Sequence, residues 1–237
     1  MEADPDYAAR LEALPEKLRE AWLFGKWDVF EGQFFPEFDA EFHVAEPSVI
    51  ENKDLRYFVA FDYGFDMLAA LLLGYDGDDL YVVKELCMPG LTLSEAAKAV
   101  SSLASEKCAE YAVASPDLWN RRQDSGKSGT EIMSAVPGMP LLIRADNRRV
   151  AGWRVLRNML GERETGVIKI SSSCQELIRC LPALLCDKNV ADDASSEPHD
   201  ITHAPEALRY AVMSRIPDAA KKNEFIFKGR GQNVFSF

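Results

Sequence analysis

The sequence lacks any stretch near the ~18 uncharged apolar residues that a membrane-spanning helix needs; its longest apolar run is Met67 to Tyr75. The opening MEADPDYAARLE has neither the basic nor the apolar region of a secretory signal, so the expectation is a soluble intracellular protein. Cysteine is sparse: Cys87, Cys108, Cys174, Cys180 and Cys186 are odd in number and contain no CxxC pair. That indicates neither a disulfide framework nor a structural zinc site. A nucleotide-binding loop is missing too, because GKS at Gly126 to Ser128 has Arg121 where GxxxxGK[ST] requires its first glycine. Bases are also in deficit, 27 against 38 acids for a net charge of -11, which argues against a protein that coats nucleic acid nonspecifically.

What remains is a chain of 237 residues, 47% hydrophobic, long enough to bury a core. Tyr57 to Phe61, Met67 to Tyr75 and Leu80 to Leu86 are short apolar runs, the last two separated by the turn signal Asp76-Gly77-Asp78-Asp79, and predict three antiparallel strands. TLSEAAKAVSSLASEKC then predicts a helix, with Thr92 as N-cap and Glu95 completing a capping box. Short strands follow at Tyr111 to Ala114, Leu141 to Ile143 and Val167 to Ile170, and helices at Ala145 to Leu160, Gln175 to Leu185 and His203 to Arg215. The expectation is a mixed α/β domain whose helices cover a sheet. Before it, Asp6 to Phe24 has helical spacing interrupted by Pro15, and the aromatic segment up to Asp39 is expected to pack on the main domain.

Three acids stand where chemistry is done. Asp62 ends the apolar strand YFVAF ahead of Tyr63-Gly64, and Asp117 follows the strand YAVA. Each has an ordinary use as well, Asp62 in a turn and Asp117 in the first turn of a helix. Carboxylates at the ends of neighbouring strands repel unless a cation lies between them. In PHDITHAPEALRYAV, with Thr202 as N-cap and Pro205 in the first turn, His203 and Glu206 stand three apart on one helical face. These four residues are mostly hard oxygen donors, suited to Mg2+ or Mn2+ and to two-ion phosphodiester hydrolysis. Asp66 and Asp200 are reserve acids. The bases cluster in two places: Arg121, Arg122 and Lys127 in a polar loop beside Asp117, and Arg144, Arg148, Arg149, Arg154 and Arg157, which leave Pro140 to Leu160 at net +4. Either a solvated face or a set of phosphate contacts accounts for them.

The segment GKWDVFEGQFFPEFD with His43-Val44, the strand YFVAFDYG, the stretch VVKELCMPGLTLSEAA and the closing THAPEALRYAV together resemble the C-terminal nuclease domain of tailed-bacteriophage large terminases, over about residues 5 to 215. The resemblance implies an RNase H-like sheet, three antiparallel strands followed by parallel ones, and a metal-dependent endonuclease using two Mg2+ or Mn2+ ions. Its substrate would be concatemeric double-stranded viral DNA, cut during packaging in the infected bacterium's cytoplasm. Asp62 matches the first-strand aspartate, Asp117 the acid after the fourth strand, and Glu206 the closing acid, often Asp in the family. The implied partners are an ATPase motor, the small terminase subunit and the portal. Residues 1–54 would be the connection from the missing motor, 55–215 the nuclease and 216–237 a tail, the isolated piece being a monomer. Two alternatives stay open: a docking module anchored by Phe225, Phe227, Phe235 and Phe237, and a junction resolvase.

Overall fold

The leucine-rich run becomes the most buried strand of the computed structural model, which describes residues 32–64, 66–123, 126–190 and 192–215. The expected helix before Phe24 and the tail from residue 216 lie outside these residues. In chain order the elements are α1 (Ala40–His43), β1 (Val44–Ala45), α2 (Pro47–Glu51), β2 (Arg56–Tyr63), β3 (Leu68–Asp76), β4 (Asp79–Met88), α3 (Leu93–Ser105) and β5 (Tyr111–Ala114). A 3-10 turn, Pro116–Trp119, follows. Then come α4 (Gly129–Ser134), β6 (Leu141–Arg144), α5 (Arg149–Gly161), β7 (Ile168–Ser171) and α6 (Gln175–Ala183), a 3-10 turn at His199–Ile201, and α7 (His203–Arg215).

Among the described residues seven strands form one sheet in the order β1-β7-β4-β3-β2-β5-β6. β2, β3 and β4 are antiparallel, and the others join in parallel, β5 beside β2 and β7 beside β4. This is the mixed RNase H-like sheet expected from the sequence. Alternation along β2 sorts its side chains between two cores. Phe58 and Ala60 enter the layer beneath α5 and α7, whereas Val59 and Phe61 face α3. Asp62 therefore continues the α7 face, which is how a strand-end carboxylate comes to meet a helix.

Capping decides the helix ends that the sequence marks. Thr92 and Glu95 close the expected box on α3. Ser128 and Glu131 close a second one on α4, a helix that begins where the polar loop ends and that the spacing did not suggest, although Ser-x-x-Glu was its signal. α5 begins four residues later than its periodicity suggests. The Ala145 N–H still extends the sheet to the Ala114 carbonyl, and the Asp146 carboxylate takes the Arg148 N–H, so the helix starts only at Arg149. α6 stops at Ala183 because Leu184 is extended and its carbonyl accepts from Phe34. That contact holds the aromatic segment in place, with Phe34 and Phe35 buried edge-on to Trp153.

The crossing of α5 and α7 is close because of Gly152. A β-carbon there would lie 2.8 Å from Arg209 Cγ, 3.0 Å from its Cδ and 3.1 Å from Met213 Cγ. Gly152→Ala gains at most about 1 kcal/mol of helix propensity but overpacks at a cost of about 1–3 kcal/mol. A net loss of stability in urea unfolding is the expected result; a gain would show that the helices slide apart freely.

Candidate active site

β2 and β5 run in parallel with Phe61 level with Ala114, so Asp62 and the turn bearing Asp117 leave the sheet at the same edge. α7 starts above that edge. His203, its first residue, is buried and places Nδ1 2.9 Å from Asp62 Oδ2 and Nε2 3.1 Å from Asp66 Oδ2. Burial works against a charged ring here, but the hydrogen bonds and charges of Asp62 and Asp66 outweigh it, and the His203 pKa is raised. Burial raises the Asp66 carboxyl and the His203 hydrogen bond lowers it, with a net depression. Asp66 also meets His199, whose Nδ1 lies 2.7 Å from Asp66 Oδ2. Thr202 does not cap α7 with its side chain in the expected way; its hydroxyl donates to the His199 carbonyl at 2.8 Å, tying the 3-10 turn to the helix.

Glu206 sits one turn further on, buried, and its charge is already balanced. Arg209 Nε donates to Oε2 at 2.6 Å, and Arg149 pairs with Oε1. Arg149 in turn donates to Asp193 Oδ1 at 2.7 Å and to the Ala194 carbonyl at 3.2 Å. Burial pushes the Glu206 carboxyl up, while Arg209 and Arg149 pull it down and Asp62 adds to the rise. The Tyr210 phenol registers all three acids at once: burial raises its pKa most, and Asp62, Glu206 and Asp117 each raise it further.

Proximity of charge is not convergence of ligands. Among the described residues, one trio of His, Cys, Asp or Glu brings its donor atoms within 4.8 Å of one another, and it is Asp66, His199 and His203. Asp62, Asp117 and Glu206 do not form such a trio. Glu206 turns to its two guanidiniums, and Asp117 lies exposed on the turn with no ion-pair partner among the described residues. Of the reserve acids, Asp66 is drawn in, whereas Asp200 is exposed and lends its charge to Arg179.

No protein-family model matches the chain, and no curated protein does. Solved structures do. The large terminase of the thermophilic bacteriophage D6E is 18% identical, with a TM-score of 0.62 over 91% of this chain and 53% of that one. The P22 large terminase nuclease domain is 20% identical, with a TM-score of 0.61 over 78% and 93%. The nuclease domain of the bacteriophage SPP1 large terminase, with bound Mn, is 18% identical, with a TM-score of 0.53 over 78% and 99%. This chain has the fold of a large terminase nuclease. It spans about half the length of the D6E large terminase.

Within that fold the expected basic residues divide into two kinds. Arg121, Arg122 and Lys127 lie on a loop closed by the Arg121–Ser128 bridge, and the Arg122 charge reaches the phenol of Tyr63, next to Asp62. Arg144 is exposed at the end of β6, with no ion-pair partner among the described residues. The rest of the +4 strip is compensated: Arg148 by Asp146, Arg149 by Asp193 and Glu206, Arg154 by Asp192, Arg157 by Glu37. Sequence reasoning passed over His199, although His199 and His203 stand four apart, and it had no signal for Arg149 as the partner of Glu206.

Proposed function

We propose that this chain is a divalent-metal-dependent endonuclease that cuts double-stranded viral DNA during genome packaging, alongside an ATPase motor, the small terminase subunit and the portal. The supporting observation is the Asp62–His203–Asp66 chain at the edge where β2 and β5 end, with Asp117 exposed beside it, in the fold of nuclease domains of which one carries bound Mn. The donor types suit such an ion, and of these residues Asp66 and His203 belong to the group whose donor atoms converge. Asp62, Asp66 and Asp117 supply carboxylate oxygens and His203 an imidazole, and Gly64 leaves open the space where the Asp66 carboxylate lies, since a β-carbon there would fall 2.3 Å from Asp66 Oδ1.

One or two Mn2+ or Mg2+ ions at these donors would activate a water and neutralise the phosphodiester, worth several kcal/mol of charge stabilisation. The protein's own part is to hold and orient. Asp62 fixes the His203 ring through Nδ1, and the buried Glu206–Arg209 pair, joined by the half-buried Arg149, holds α7 over β2. In our reading Glu206 serves from behind His203. In our reading the phosphate backbone contacts are Arg121, Arg122, Lys127 and Arg144; Arg148 pairs with Asp146, and Arg149 with Asp193 and Glu206.

Supercoiled plasmid incubated with the purified chain and Mn2+ should be nicked and then linearised, and EDTA should stop the reaction. Cutting that continues in EDTA would remove the metal from the scheme.

A further inference from the structure

Asp66, His199 and His203 offer a ligand set that the carboxylates alone do not. We propose that these three residues form a discrete site for a first-row transition ion of the Mn2+, Co2+ or Zn2+ class, preferred there over Mg2+. The inference deepens the nuclease reading by naming the class of ion and by adding His199 to Asp66 and His203 as its ligands, and rests on that reading only for the ion's use.

Separation of the donors carries the proposal first. His199 Nδ1 and His203 Nε2 lie 2.7 and 3.1 Å from the same Asp66 oxygen, and all three donor atoms fall within 4.8 Å of one another. Ligands bound at ~2.0–2.2 Å in a tetrahedral or octahedral shell stand about 3 Å apart, so small movements suffice to place an ion among them. The two imidazoles meet edge to face, with centroids 4.6 Å apart, rather than stacking, which leaves their nitrogens free to point at a common oxygen.

Orientation is the second, independent observation. His203 presents Nε2 to the trio because Nδ1 is held by the buried side of Asp62 at 2.9 Å. A carboxylate behind the far nitrogen is the usual arrangement of a metal-binding histidine, fixing both its tautomer and the plane of its ring. His199 is held in its turn by the Thr202 hydroxyl and N–H, both donating to its carbonyl. Gly64 supplies the third observation, since any side chain at that position would displace the Asp66 carboxylate.

The donor types set the ion. Two imidazole nitrogens beside one carboxylate favour a first-row transition ion over Mg2+, which asks for oxygen ligands and keeps most of its water. Three protein ligands leave coordination positions open, and the half-exposed side chains of His199 and Asp66 face solvent, where a phosphate oxygen can enter.

The test is a titration of the purified chain with Co2+, followed by its visible absorption, and repeated in excess Mg2+. The unsubstituted chain should take up Co2+ with a band that Mg2+ does not abolish. His199→Ala should weaken uptake by at least about tenfold, the lower end of what losing even a supporting outer-shell partner costs. Gly64→Ala should do the same through displacement of Asp66, while Asp200→Ala, next to His199 but outside the trio, should not. Unchanged uptake in both His199→Ala and Gly64→Ala overturns the site, and displacement by Mg2+ overturns its selectivity. Plasmid cutting is read on the same samples. Co2+ uptake that depends on His199 in a chain that never cuts DNA would leave the site standing and sink the nuclease reading; cutting with unaltered Co2+ uptake in both variants would do the reverse.

Discussion

Asp62→Asn is expected to lower Mn2+-supported nicking of supercoiled plasmid by at least about a hundredfold while leaving the protein folded. Asparagine has the same shape, and its oxygen can still accept from His203 Nδ1, so the packing of a side chain that is only 17% exposed survives. What disappears is the negative charge at the end of β2. Charge stabilisation by bound ions is worth several kcal/mol, and each ~1.4 kcal/mol is a factor of ten in rate. Loss of the carboxylate should therefore be plain against even a slow parent enzyme. Circular dichroism and thermal unfolding of the same preparation establish that the fold is intact. Rapid cutting by a variant shown to be free of contaminating nuclease would remove Asp62 from the chemistry.

The largest effect on stability should come from Arg209→Met. Arg209 is 1% exposed, donates to Glu206, stacks against Tyr210 and Trp153, and fills the space that Gly152 leaves open. Methionine restores much of the volume but leaves half of the Glu206 carboxylate buried without its partner. Breaking a buried pair from one side costs about 3–5 kcal/mol; because Arg149 still holds the other oxygen, the lower end, about 3 kcal/mol, is expected from urea unfolding. Adding Glu206→Gln should recover a good part of this loss, since the orphaned charge is then gone. A single-variant loss below about 1 kcal/mol would mean that Arg149 alone neutralises Glu206, and that the network is looser than its geometry.

Both predictions turn on the way α7 sits across β2, and that was only partly legible in advance. The strands of the antiparallel trio, the Thr92 box, the four-residue β5 and the span His203–Arg215 can all be read from spacing, since each depends on residues within a few positions of one another. α4 escaped notice because Gly126 and the bases before it resemble a loop more strongly than Ser128 and Glu131 resemble a cap. The start of α5 was misjudged for the same reason: apolar spacing runs back to Ala145, but a sheet hydrogen bond and the Asp146 side chain claim the backbone first.

At the site the sequence named Asp62, Asp117, Glu206 and His203, and the structure gives each of them its neighbours. Asp62 and His203 meet, and the strand ends bring Asp117 to the same edge. Glu206 faces Arg149 and Arg209, and the donor atoms that converge are those of Asp66, His199 and His203. Arg149, counted as a surface base, crosses to Glu206 and Asp193, and Asp66 takes the place beside the histidines.

Composition and periodicity alone decided that this chain makes a sheet covered by helices and places carboxylates at strand ends, because alternation, turns and caps are settled over a handful of neighbouring residues. Which charge answers which was decided only in three dimensions. Arg149 and Glu206 are 57 residues apart and His203 and Asp66 are 137 apart. Coulomb energy falls with distance through space and takes no account of distance along the chain, so the helix crossing at Gly152 and the parallel register of β2 with β5 determined the partners.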